Sequence, residues 1–332
     1  MTSPQPANAV ATPDPATFVR KVGKGKTLSK SMSRAEAREA FDLLLDGRFA
    51  ESQAGAFLQA LRINELAQSE LDGLMDALIA EQPSALPALP PGGYVLNLAS
   101  DTPRKGGYAS LLASAVLANE GLSVGVVRSE PVLSGNRRSW DDTWALLASL
   151  HDASCCGAPH APALMFTADA LDLAPRLRNL RKVRGELGFR SCLHTAEKLL
   201  NPWPSKPVVL GISHANYIDR MAAWFAARGM AAKILLGNHG TPDLVLHKET
   251  EVCEVLPGGE IRNVAFHPGE LGLKPDPAVY TLGAFGDWAA EMQKPGHGAL
   301  GPVLDYHLAF FRYVAGLVPH PRDSALTFSG VA

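Results

Sequence analysis

Between Ala37 and Leu78 apolar residues recur every three or four positions, whereas from Tyr94 to Gly237 they come in short unbroken runs. The first rhythm turns one face of each segment toward a core and predicts helices. The second predicts strands covered on both faces. Ser33-Arg-Ala-Glu36 fits a capping box, Ala37, Ala40, Phe41, Leu44 and Leu45 follow at helical spacing, and Gly47 closes the helix. Ala54, Phe57, Leu58 and Leu61 share one face of a second helix, and Ser69-Glu-Leu-Asp72 is expected to open a third carrying Leu71, Leu74, Met75 and Leu78.

Residues 83–93, PSALPALPPGG, hold four prolines and two glycines and cannot extend a helix, so they read as a linker. Beyond them YVLNL (94–98), SVGVV (123–127), ALMF (163–166), PVVLGI (207–212) and KILLG (233–237) predict buried strands. Helical stretches are expected near 107–120, 140–150 and 215–229. That alternation predicts an α/β fold class: a small N-terminal helical bundle domain, then a larger α/β domain with a mainly parallel central sheet. The acids Glu249, Glu251 and Glu254 fall in an alternating run and are expected on a solvated face.

The stretch RLRNLRKVRGELGFR (176–190) gathers six basic residues against Glu186. At about 100° per residue Leu177, Leu180, Val183 and Leu187 share one side, and Arg178, Arg181 and Lys182 lie opposite. Arg184 falls on the edge of the apolar stripe and is expected to point inward, where a guanidinium calls for a carboxylate or an anionic ligand.

Three loops follow predicted strands, the usual place for ligands in such sheets. Ala99-Ser-Asp-Thr-Pro-Arg-Lys-Gly-Gly107 precedes a helix, so Arg104, Lys105, Gly106, Gly107 and Ser110 suit a phosphate. The loop from Arg128 to Arg138 could grip phosphates as well; Asp141 and Asp142 after it are simplest as helix-start acids. Gly237-Asn-His-Gly-Thr-Pro-Asp243 brings His239 and Asp243 to a strand end. Gly211-Ile-Ser-His214 lacks the GxSxG elbow, which speaks against a serine hydrolase.

A formal net charge of -2 excludes a strongly basic whole-protein field, so any nucleic-acid contact must be local. Cys155, Cys156, Cys192 and Cys253 form no CxxC pair and are expected as reduced thiols. No apolar run approaches a membrane span of about 18 residues. Residues 1–17 read as a disordered leader without the signature of a signal peptide, so a cytoplasmic protein is expected.

Val183-Arg-Gly-Glu-Leu-Gly-Phe-Arg190, Asn201-Pro202 and Pro268-Gly-Glu-Leu-Gly272 resemble segments of the anthranilate phosphoribosyltransferase group, glycosyltransferase family 3. The resemblance implies a nucleoside phosphorylase/phosphoribosyltransferase-like fold. It places a helical domain at 18–86, completed by helices from 174–202, and an α/β domain at 92–173 and 203–332. It matches Arg184 to the arginine that contacts the aromatic acid substrate. Three motifs depart from the pattern. The Gly-Thr-Gly-Gly-Asp loop around phosphoribosyl pyrophosphate corresponds to Ala99-Ser-Asp-Thr-Pro-Arg104. Only Gly135-Asn136-Arg137 echoes the Lys-His-Gly-Asn-Arg segment, and the magnesium motif becomes His239-Gly-Thr-Pro-Asp243 with one acid.

Such departures, with Val22-Gly-Lys-Gly-Lys26, Ala60-Leu-Arg-Ile63, His194-Thr-Ala-Glu-Lys198 and Ser213-His-Ala-Asn-Tyr217, are similar to a YbiB-type branch of the family. This second resemblance implies a homodimer through the helical domain that binds nucleic acid without sequence preference. Its candidate contacts are Arg20, Lys21, Lys24, Lys26, Lys30 and Arg34, joined by Arg176, Arg178, Arg181, Lys182 and Arg190. The alternative is a pentosyl- or phosphoribosyltransferase on an unusual acidic acceptor. There Arg184 holds the acceptor, Arg104, Lys105, Gly107, Ser110, Asn136 and Arg137 hold phosphate, and Asp243 holds magnesium, which is implied only on this reading.

Overall fold

The computed structural model describes residues 13–25, 27–80, 82, 88–99, 109–129, 164–281 and 285–321. The chain divides into two compact units, Met1–Ala77 with Arg176–Cys192 and Leu78–Pro175 with Leu193–Ala332.

The first unit is helical: α1 Pro15–Val22, α2 Arg34–Leu45, α3 Glu51–Ile63 and most of α4 Gln68–Ile79. The expected capping box forms at α2, where Ser33 N donates to Glu36 Oε2 (2.8 Å) and Glu36 N to Ser33 Oγ (3.3 Å). Gly47 follows α2 at φ 70°, a conformation that suits glycine. Ser69 does not open α4. Its hydroxyl donates to Met32 O at 2.7 Å, and buried Glu70 accepts from Met32 N and Ala67 N instead, tying the helix start to the preceding loop. Phe41, Phe57 and Leu58 are fully buried at the centre of this unit.

The basic stretch is not one continuous α-helix. A 3-10 turn, Pro175–Leu180, leads into a short helix, Arg181–Glu186. Leu177, Leu180 and Val183 are buried, as the pattern predicts, and Arg176 bonds to Asp42, Asp46 and the Ala77 carbonyl.

The second unit contains β1 Tyr94–Asn97, α5 Ala109–Asn119, β2 Val124–Arg128, β3 Met165–Asp169, all but the first residue of α6 Cys192–Leu199, β4 Val208–Gly211, α7 Ile218–Ala226, β5 Ala232–Leu235, β6 Thr250–Val255, β7 Ile261–Phe266 and α8 Gly301–Val314. The sheet has seven strands in the order β3-β2-β1-β4-β5-β6-β7. The strands from β3 through β5 are parallel, while β6 and β7 add antiparallel to the edge. α8 lies on α5, and Phe311 stacks on Tyr94 with ring centroids 4.8 Å apart.

β7 has no counterpart among the expected strands, and β6 corrects the reading of its acids. Only Glu251 of β6 faces out; Glu254 is 0% exposed. A carboxylate survives there because Lys233 Nζ (2.6 Å), Arg262 Nε (2.7 Å) and Tyr313 OH (2.7 Å) all donate to it. Burial alone pushes this carboxyl up, yet the three donors outweigh burial and hold its pKa below the ordinary value.

Candidate functional site

From β1 the sheet extends to β2 and β3 on one side, and the chain then returns to place β4 and β5 on the other. The carboxyl ends of β1 and β4 therefore form the topological switch point, where open α/β sheets take their ligands. Asn97 ends β1 and Gly211 ends β4.

Asn97 is fully buried, and its amide donates to the carbonyls of Glu197 (3.3 Å), Lys198 (3.0 Å) and Leu200 (2.9 Å). One side chain thus satisfies the carbonyls left open at the end of α6. From that last turn the 6%-exposed Lys198 reaches across to donate to Gly211 O and, at 3.1 Å, to Gly240 O. α6 therefore spans both strands of the switch point. His194, Glu197 and Lys198 are all buried on it. Polar residues at i, i+3 and i+4 on one helix were the available signal for this cluster; the stretch His194–Lys198 carried a family resemblance, but the sequence alone assigned these residues no individual role.

The turn 237–243 is closed from within. Asn238 N donates to Asp243 O (2.8 Å) and Thr241 Oγ1 to Asn238 O (2.7 Å). His239 is exposed at the tip with φ 54°, an uncommon conformation for a residue with a side chain. Gly211 is required by close approach, since a Cβ there would sit 2.0 Å from Thr241 O.

Asp243, the expected metal ligand, is 0% exposed, and its Oδ1 accepts from Ser110 N at 2.8 Å. Burial raises the carboxyl's pKa, favouring the neutral form. Magnesium needs carboxylate oxygens open to it and to water. No group of three or more His, Cys, Asp or Glu that could hold a metal occurs among the described residues. Magnesium therefore does not fit Asp243 as it is held here; the carboxyl ties the start of α5 to the turn after β5. Next to it His307 is neutral, because Nε2 accepts from Leu244 N (2.9 Å) while Nδ1 faces Val303 O (2.7 Å).

Ser110 lies at the helix start expected of a phosphate contact, but its amide serves Asp243. Arg104, Lys105, Gly107, Asn136, Arg137 and Lys26 lie outside the described residues. Arg184, in the helical unit, is 1% exposed, consistent with its position on the apolar edge. The basic candidates divide into two kinds. Lys21 pairs with Glu36 (2.6 Å), Lys182 with Glu51 (2.6 Å) and Arg34 with Asp76 (2.5 Å). Lys24, Lys30 and Arg181 are exposed, with no carboxylate of the described residues at ion-pair distance; Arg178 is exposed and Arg190 half-buried. Cys192 and Cys253 are buried free thiols, as expected.

A helical bundle joined to an α/β unit with its switch point at β1 and β4 defines a glycosyltransferase-type architecture. The model of the glycosyl transferase family helical bundle domain matches residues 16–81. The anthranilate phosphoribosyltransferase of Methylobacterium nodulans is 30% identical over 328 residues, covering 95% of this chain and 89% of the relative. That of Chelativorans sp. is 26% identical over 309 residues, covering 92% and 86%. Among solved structures, anthranilate phosphoribosyltransferase from Thermus thermophilus superposes with a TM-score of 0.71 at 22% identity, covering 92% of this chain and 91% of that one. The Saccharomyces cerevisiae enzyme in complex with PRPP and Mg gives 0.69 at 14% identity, covering 95% and 92%. The chain belongs to the anthranilate phosphoribosyltransferase family.

Proposed function

We propose that this protein is a pentosyl- or phosphoribosyltransferase whose acceptor is an acidic small molecule, with Arg184 as the acceptor's counter-charge. The observation that carries this is a guanidinium buried to 1% exposure, inside the segment Val183–Arg190. A guanidinium fixed at that depth offers a planar, always-charged fork that matches a carboxylate. Family membership supports the transfer chemistry, and the switch point supports a phosphorylated donor at the ends of β1 and β4. The test is to incubate the protein with phosphoribosyl pyrophosphate and a panel of aromatic and other small carboxylic acids, and to look for adduct and pyrophosphate. No product with any of them would end this reading.

A second reading, a YbiB-type homodimer that binds nucleic acid through its basic surface, is favoured by one observation. Lys24, Lys30 and Arg181 stand exposed with no carboxylate of the described residues paired to them. Against it, Lys21, Arg34, Arg176 and Lys182 already have acidic partners, which leaves less charge for a phosphate backbone.

A further inference from the structure

At the turn where the family resemblance implies magnesium, the protein has built a cation of its own. Two backbone carbonyls, Gly211 O from the end of β4 and Gly240 O from the turn 237–243, converge on one point, a donor set a hard metal ion could also use. The ammonium of Lys198 fills that point. It is delivered from a helix end that Asn97 clamps to β1, and the side chain is 6% exposed. The acid that would have to anchor a metal is committed elsewhere, since Asp243 is buried and holds the Ser110 amide. Gly240 has φ 81°, and a Cβ on it would lie 2.1 Å from Ser213 Oγ, so the turn packs closely on the residues that follow β4 and needs glycine there.

We infer that this protein binds its phosphorylated ligand without a divalent metal at the 237–243 turn, Lys198 Nζ occupying the carbonyl pair and being the positioning residue for that turn. The inference rests on the reading that the crevice between β1 and β4 takes a phosphate-bearing ligand. An ammonium differs from a metal in three respects: it cannot be stripped by a chelator, it brings no water ligands, and it adds one charge rather than two.

The test uses the full-length chain and inorganic pyrophosphate, titrated calorimetrically in excess magnesium and again in chelator. The expected result is binding in chelator at least as tight as in magnesium, since no exchangeable metal takes part at the turn and magnesium in solution only competes for the free pyrophosphate. In parallel, manganese titrated into the ligand-free protein shows no bound-ion electron paramagnetic signal. Lys198→Met weakens pyrophosphate in chelator by about tenfold or more, because the turn loses the group that holds Gly211 O and Gly240 O together. If that variant does not melt cooperatively, the wild-type comparison decides alone. Pyrophosphate binding that requires magnesium, manganese held by the free protein, or no pyrophosphate binding in either buffer would each overturn the inference. Failure of the transferase reading shows separately, as absence of adduct from phosphoribosyl pyrophosphate despite metal-independent pyrophosphate binding.

Discussion

The amide of Ser110, second residue of α5, donates to Oδ1 of Asp243 at 2.8 Å, across 133 residues of chain. This bond joins the helix that follows β1 to the turn that follows β5, and both ends are buried. Asp243→Ala leaves that amide buried without its acceptor, a loss of about 1–3 kcal/mol. Asp243→Asn keeps an acceptor oxygen and loses less. Chemical denaturation of the two variants at neutral pH should give that order, with the alanine midpoint clearly lower.

The same carboxyl and its neighbour His307 give stability opposite pH slopes. Burial raises the pKa of Asp243, so the folded state holds a proton that the unfolded chain releases above about pH 4, and this contribution fades as pH rises. Burial lowers the pKa of His307, so the unfolded chain takes up a proton below about pH 6.5 that the folded one refuses. That contribution is present above this pH and fades as it falls. Asp243→Asn should therefore make stability climb more steeply with pH between about 4.5 and 6.5, and His307→Gln should flatten or reverse the climb. Melting temperatures across that range read both slopes.

Glu254→Gln removes the carboxylate that Lys233, Arg262 and Tyr313 share. The largest cost falls on Lys233, buried and left beside a neutral amide. A loss of about 3–5 kcal/mol is expected. Because the pair is buried, raising salt should not erase the difference between wild type and variant in a denaturant titration.

Glu254 also shows where sequence reading reached its limit. The helices of the bundle, the capping box at Ser33 and the parallel strands were legible, because hydrophobic period and cap chemistry are local. The inward position of Arg184 was legible for the same reason, from its place on the edge of an apolar stripe. Glu254 was not, because its burial depends on Lys233 one strand away, on Arg262 in β7 and on Tyr313 in α8. Lys198 and Asn97 were missed similarly. Each is an ordinary polar residue in its own segment, and only the strand order that places β1 beside β4 gives it a role. The capping expectation at Ser69 erred because Glu70 reaches both Met32 N and Ala67 N, a tertiary contact that outcompetes a local one.

The basic surface has its own test. If Lys24, Lys30 and Arg181 contact a phosphate backbone, reversing all three to Glu should abolish low-salt binding of a mixed-sequence oligonucleotide. Reversing Lys182, already paired with Glu51, should matter far less. A salt slope unchanged by the triple reversal would remove the nucleic-acid reading.

Arg184 as the counter-charge of an acidic acceptor for pentosyl transfer has a kinetic signature. Steady-state kinetics with phosphoribosyl pyrophosphate and the best acid from the panel, on wild type and on Arg184→Lys and Arg184→Gln, tests it most directly. Wild type should show measurable transfer. The acceptor KM should rise about tenfold or more in both variants, because neither restores the bidentate fork, with donor KM little changed. Absence of transfer by wild type, or variants whose acceptor KM matches wild type, would contradict this role for Arg184.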